Sequence, residues 1–127
     1  MRIIIAEDAA DCRAILSKAI AQQGDRQVVV AENGADAWWH LSDPTQKFDL
    51  AILDVNMPGV DGLKLLGRIR QDSRVGALPV ILCTASTDRI TVSGAANLGV
   101  ISYIVKPVNA TTLLQKISGV EAAMIAA

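Results

Sequence analysis

Leu50-Ala51-Ile52-Leu53-Asp54-Val55-Asn56-Met57-Pro58-Gly59-Val60-Asp61-Gly62 is the stretch that decides how this chain folds. Its apolar run stops at one carboxylate, Asp54, and a segment no buried strand would tolerate follows: Asn56, Pro58, Gly59, Asp61 and Gly62. A short apolar run ended by proline and glycine reads as a buried strand entering a loop. Asp54 therefore stands at a strand's carboxyl end, where open α/β sheets place their chemistry. Taken alone, it could equally cap the helix that follows, because aspartate is a good N-cap. Other residues must converge on it before a chemical role wins.

Working outward, the strand begins near Phe48, and upstream of it a short helix over 35–42 follows the Asn33-Gly34 turn and is stopped by Asp43-Pro44. A strand over 27–31 carries three valines, and a helix over 9–23 repeats Cys12, Ile15, Leu16, Ala19 and Ile20 at helical spacing before Gly24 closes it. The chain opens with an isoleucine strand over 2–6, ended by Glu7-Asp8. Downstream, Leu63, Leu65, Leu66 and Ile69 outline a helix reaching Arg70, and 79–83 is a strand ending at Thr84. The next helix, 87–98, is poorly made: Ile90, Thr91 and Val92 are β-branched and Gly94 is interior, which predicts a mobile element. A fifth strand, 102–105, runs into Lys106-Pro107, and Asn109 starts a last helix with Leu113, Ile117, Val120 and Met124 on its apolar face. Five strands alternating with five helices predict an α/β parallel sheet covered on both faces. Right-handed crossovers with one reversal of winding give the order 2-1-3-4-5, a flavodoxin-like (βα)5 three-layer sandwich.

The 127 residues suit a single domain over 1–127, and 51% hydrophobic content with only 3% aromatics predicts an aliphatic core. A net charge of −1 leaves no whole-chain electrostatic footprint for nucleic acid. No apolar stretch approaches the roughly 20 residues of a membrane span. The start, Met-Arg-Ile-Ile-Ile-Ala-Glu-Asp, reaches acid too soon for a secretory signal, so a cytoplasmic location is expected. Cys12 and Cys83 match no metal or redox spacing and are expected to be small core residues with reduced thiols.

In the order 2-1-3-4-5 the first and third strands are neighbours, about 4.8 Å apart. Asp8 and Asp54 then face each other, with Glu7 adjacent. Three carboxylates this close repel and hold protons unless a cation joins them. Hard oxygen ligands with room for water suit Mg²⁺ better than Zn²⁺. Two further strand ends offer the Thr84 hydroxyl and the Lys106 ammonium. Such a cup fits a dianionic phosphoryl group, and Asp54 at its centre is placed to be a nucleophile forming an aspartyl phosphate. Singly, Asp8 reads as a helix cap, Thr84 as a loop residue, Lys106 as a solvated charge and Asp61 as a cap outside the site. Their joint occurrence at four strand ends favours the chemical reading.

With these residues in place, the chain resembles the receiver domain of two-component response regulators of the chemotaxis-regulator type, over essentially its whole length. Glu7-Asp8 is similar to that family's acidic pair, and Asp54 with its loop to the phosphoacceptor. Thr84-Ala85 is similar to the hydroxyl and its small neighbour, Lys106-Pro107 to the lysine–proline pair, and Tyr103 to the aromatic switch. The resemblance implies a signalling module with at most self-phosphorylation and autodephosphorylation chemistry, not a turnover enzyme. It implies Mg²⁺ held by the side chains of Asp8 and Asp54, the Asn56 carbonyl, and Glu7 through water. Asp54 would take phosphate from a sensor histidine kinase or histidine phosphotransfer protein. Lys106 would pair with the phosphoryl oxygens, Thr84 would swing toward them, and Tyr103 would turn inward. That movement would shift the face made by the fourth predicted helix, the fifth strand and the last helix, which acts on a downstream protein or fused output domain and could hold a weak homodimer. No direct nucleic-acid or membrane contact is implied. A cis Lys106–Pro107 bond is expected, and Asn56 and Ser86 occupy positions that tune hydrolysis of the aspartyl phosphate.

Two other classes compete. A haloacid-dehalogenase-type phosphatase also forms an aspartyl phosphate, but it wants a second acid two residues after the nucleophile, where this chain has Asn56. A flavodoxin-like FMN carrier needs a neutral or basic first loop, whereas Glu7, Asp8 and Asp11 would repel a phosphate. An interaction domain that has lost phosphorylation is disfavoured because no site position is missing. Elsewhere, Trp38 is expected in the core, Trp39 in solvent as a modest hint of a partner surface, and His40 solvated. The tail 122–127 either prolongs the last helix or leads into a longer protein.

Overall fold

The computed structural model describes residues 1–22, 24–85, 93–94 and 96–126. β1 (Arg2–Ala6), β2 (Gln27–Ala31), β3 (Leu50–Asp54), β4 (Val80–Thr84) and β5 (Ser102–Val105) form one parallel sheet in the order β2-β1-β3-β4-β5, as the sequence predicts. Around it lie α1 (Ala10–Ala21), α2 (Gly34–Leu41), α3 (Gly62–Gln71) and α4 (Ala110–Ala126). The helix expected over 87–98 falls at 87–92 and 95 outside the described residues, as does Ser86.

The central strands are apolar between their end residues because both of their faces are covered. On one side Ile4, Ala6, Ala51, Leu53, Val80 and Leu82 pack against Ala37 and Leu41 of α2 and Leu65, Leu66 and Ile69 of α3. On the other, Ile3, Ile5, Leu50, Ile52, Ile81 and Cys83 meet Leu16 and Ile20 of α1 and Leu113, Ile117 and Val120 of α4. The register pairs Ala6 with Leu53, Asp54 with Cys83 and Thr84 with Val105, so the carboxyl ends of β1, β3, β4 and β5 come level.

Side-chain caps start three helices. Asn33 Oδ1 accepts the Asp36 N–H at 2.8 Å, Asp61 Oδ1 the Lys64 N–H at 2.9 Å, and Asn109 Oδ1 the Thr112 N–H at 3.1 Å. Asp61 is thus a cap, as its position suggests, and Asp54 is not. At α1 the N-cap position is Ala9, with no side-chain cap, so Asp8 is not used that way either. Entry into α3 is tight: the Gly62 N–H donates to the Val55 carbonyl at 3.1 Å, and a Cβ there would meet the Asp54 carbonyl oxygen at 2.4 Å.

Three apolar positions depart from expectation. Cys12 is exposed rather than core, Ile15 is 64% exposed and Met124 45%. Cys12 and Ile15 lie over a cavity that separates the start of α1 from Ile5 and Ile52. Met124 belongs to the last turns of α4, beyond Val120, the last residue of that helix in the buried core. Trp38 packs half-buried on the α2/α3 core with the Arg68 guanidinium 5.6 Å from its ring centre, while Trp39 is 65% exposed. His40 is less free than expected, its Nδ1 lying 3.2 Å from Gln46 Oε1.

Candidate site at the strand ends

Among the described residues the buried polar side chains are Glu7, Asp54 and Thr84, and all three stand at this one edge of the sheet. β1 delivers Glu7 and Asp8 just past its last residue, β3 ends in Asp54, β4 in Thr84, and Lys106 follows β5. Carboxylate oxygens of Glu7, Asp8 and Asp54 lie within 4.8 Å of one another. The Lys106 ammonium reaches into the same space, 2.8 Å from Asp54 Oδ2 and 3.4 Å from both Glu7 oxygens. Asp54 Oδ1 accepts the Asn56 backbone N–H at 3.0 Å. Although the ammonium is at ion-pair distance from Oδ2, no donor among the described residues is aligned for a hydrogen bond to that buried oxygen.

The backbone around these side chains is held from several directions. The Glu7 N–H donates to the Ala31 carbonyl at 3.1 Å, the Val55 N–H to Cys83 at 2.9 Å, and the Lys106 N–H to Thr84 at 2.7 Å. Arg13 Nη1 donates to the carbonyls of Glu7 at 2.8 Å and Asp8 at 3.2 Å, closing the turn that carries both acids. Sequence reading missed Arg13; the available signal was a guanidinium one helical turn beyond an acidic pair that must be presented at a fixed angle. The Lys106–Pro107 bond is cis, as expected.

Charge is unevenly shared. Burial first, then the neighbouring Asp54, push the Glu7 carboxyl up to about 7, against the pull of Lys106. Burial also acts to raise Asp54, but the neighbouring Glu7 carboxyl, the Lys106 ammonium and the Asn56 N–H outweigh it and hold Asp54 below the usual carboxylate range. Lys106 is raised: burial works against its charge, and the two carboxylates more than compensate. Three carboxylates facing one ammonium leave an excess of hard, anionic oxygen that could coordinate a divalent cation.

The structure brings Glu7, Asp8, Asp54 and Lys106 together and places buried Thr84 at the neighbouring strand end. Of the acidic pair, Glu7 is the buried member and Asp8 the exposed one. Asn56 lies next to the cluster, touching Asp54 through its backbone. Tyr103, on β5, is 44% exposed and points outward.

A parallel sheet of this order, with acids on two adjacent strand ends and a lysine beyond a third, defines a class of α/β domain whose charged site lies at the sheet's carboxyl edge. Residues 3–118 match the response regulator receiver domain. The chemotaxis protein CheY of Pseudomonas aeruginosa is 36% identical over 117 residues, which cover 92% of this chain and 93% of that protein. The chemotaxis protein CheY1 of Helicobacter pylori is 33% identical over 117 residues, 92% of this chain and 94% of its own length. Among solved structures, the phosphorylated cyanobacterial phytochrome response regulator RcpA superposes with a TM-score of 0.81 at 27% identity, covering 94% of this chain and 90% of its own. The chain belongs to the response regulator receiver domain family, as its resemblance implies. It is a signalling domain of phosphorelay systems and not a turnover enzyme, which sets aside the phosphatase and FMN-carrier alternatives.

Proposed function

We propose that Asp54 is the phosphoacceptor of a two-component switch spanning residues 1–127. The observation that carries this reading is the Lys106 ammonium 2.8 Å from Asp54 Oδ2, with Glu7 and Asp8 oxygens gathered on the other side. An Asp54 oxygen attacks phosphorus, the P–N bond of a phosphohistidine breaks, and the released imidazole keeps the electron pair. Lys106 then pairs with the phosphoryl oxygens, and the Thr84 hydroxyl donates to one of them. The side chains of Asp8 and Asp54 and the Asn56 carbonyl would hold Mg²⁺, with Glu7 acting through water. Mg²⁺, when bound, offsets the charge repulsion between the nucleophilic carboxylate and the incoming phosphoryl group. That RcpA is described as phosphorylated supports the same chemistry on this fold.

The donor is a sensor histidine kinase or histidine phosphotransfer protein in the cytoplasm. Movement of Thr84 draws Tyr103 inward from its exposed position, changing the face of β5 and α4 that a downstream protein, a fused output domain or a weak homodimer would read. The test is incubation with acetyl phosphate, or with beryllofluoride, in the presence of Mg²⁺. Wild type is modified only when Mg²⁺ is present, and Asp54→Asn is not modified; equal labelling of the two would remove Asp54 from the role.

A further inference from the structure

β2 forms one edge of the sheet, and its sequence carries none of the devices that blunt such an edge. Gln27-Val28-Val29-Val30-Ala31 holds no proline and no charge. Its residues pair one to one with β1, from Gln27 with Arg2 to Ala31 with Ala6, so no bulge bends it away. The other edge strand, β5, is shorter and runs straight into Lys106-Pro107. The Gln27 N–H donates to the Met1 carbonyl at 2.9 Å, and the Ala31 carbonyl accepts the Glu7 N–H at 3.1 Å. Odd positions therefore face β1, and the backbone N–H and C=O of Val28 and Val30 point outward. Among the described residues these outward groups make no hydrogen bond. The flanking helices leave the strand open: Val30 is 43% exposed, whereas β3 and β4 are buried along their whole length.

Laid antiparallel against itself, this strand is self-complementary about Val29. Val28 falls opposite Val30 of a second copy, and these are the positions whose backbone groups point outward, so each pair exchanges both of its bonds. One step further out, Arg26 lies opposite Glu32 of the second copy, unlike charges on the same face of the sheet. Existing contacts fix that face: Val28 packs on the α1 and α4 side, Arg26 bonds Glu121 of α4, and exposed Glu32 lies 3.8 Å from Arg13 of α1. Shifting the register by two residues either way sets Arg26 or Glu32 against a valine instead. We propose that β2 is a docking surface for a second copy of this chain, the two strands forming an isologous antiparallel pair centred on Val29. The two sheets become one, and the seam lies at the edge opposite β5. Pairing thus leaves the β5 and α4 face of each copy open, so the dimer offers that face twice. The proposal makes no use of the phosphoryl chemistry and stands apart from it.

The test is sedimentation of the full chain combined with amide-resolved hydrogen exchange. The mass is expected to rise with concentration from 13.4 kDa toward twice that value, with a Kd of roughly 0.1 mM, as a small, weak interface gives. Over the same range the Val28 and Val30 amides become about fivefold more protected, while the Val29 amide, already turned to β1, does not change. Val30→Pro removes an outward donor and no bond to β1, and weakens association about tenfold. Glu32→Lys sets like charges opposite each other and weakens it about threefold. In a Cys12→Ser background, Val29→Cys is oxidised by copper phenanthroline in air to an intermolecular disulfide, because a non-hydrogen-bonded pair holds its Cα atoms about 4.5 Å apart. Gln27→Cys, opposite Ala31 rather than itself, is not cross-linked. A chain that stays monomeric at about 1 mM overturns the proposal, as does association that leaves the Val28 and Val30 amides unprotected or protects β5 instead. Protection of β2 that appears only on adding a different protein assigns the edge to a foreign strand and overturns it equally. Should Val30→Pro lose its native spectrum, amide protection in the wild type and the cross-link decide alone.

Discussion

Glu7 and Asp54 stand side by side at the sheet edge, yet their protons behave oppositely. Glu7, pushed up to about 7 from an ordinary 4.5, keeps in the folded chain a proton that the unfolded chain has already released. Its contribution to stability is therefore complete below pH 4.5 and declines as pH rises through about 7. Asp54, held low, works the other way: its contribution is present above its ordinary 3.8 and is lost as the medium becomes more acid. A divalent cation seated among these acids would displace the Glu7 proton, so Mg²⁺ affinity should rise with pH up to about 7. Urea unfolding at pH 5 and pH 7.5, with chelator or with Mg²⁺, checks both signs. The metal-free protein should be less stable at the higher pH, and Mg²⁺ should stabilise it more there. A metal-free protein more stable at pH 7.5 would contradict this assignment of the proton.

Among the elements, α3 shows how one substitution takes opposite signs within a single helix. Gly62 has the Asp54 carbonyl oxygen 2.4 Å from where a Cβ would sit, whereas Gly67 has nothing within 4 Å. Gly67→Ala should stabilise by about 0.5–1 kcal/mol through helix propensity, and Gly62→Ala should destabilise by roughly 2 kcal/mol or more by displacing the Asp54 backbone. Shifts in the urea midpoint at constant slope would show the two signs. At the other end of α3, Arg70 donates to Leu98 at 2.6 Å, Leu78 at 2.7 Å, Gly76 at 3.1 Å and Gly99 at 3.2 Å, joining the starts of β4 and β5. Arg70→Met strips donors from four carbonyls and should cost about 2–4 kcal/mol in the same assay. Strand positions were legible because runs such as Ile3-Ile4-Ile5 and Val28-Val29-Val30 have few alternatives to a sheet. The carbonyl targets of Arg70 were not, because no periodicity encodes which backbone oxygens a loop leaves unpaired. Cys12 and Ile15 were misread for a related reason: helical spacing identifies a face but not whether the sheet beneath reaches it.

At the scale of the whole molecule, the candidate site was readable because each member terminates a strand, so strand order alone brings Glu7, Asp8, Asp54, Thr84 and Lys106 to one edge. Which of Glu7 and Asp8 turns inward was not readable, since adjacent acids at a strand end differ only in the turn that Arg13 closes. At the opposite pole the turn before β2 is tied to the last helix: Arg26 meets Glu121 of α4 at 2.6 and 3.1 Å. Arg26→Ala should cost about 1–3 kcal/mol and leave acetyl phosphate labelling of the folded protein unchanged, measured by thermal melting beside the labelling assay. The contact between Lys106 and Glu7 spans 99 positions of sequence. A polypeptide emerging from the ribosome therefore carries its acids long before it carries the cation that faces them, and the cluster of unlike charges exists only once β5 has joined the sheet. Neutralising the acids thereby waits on the longest loop closure in the sheet, the docking of its last strand.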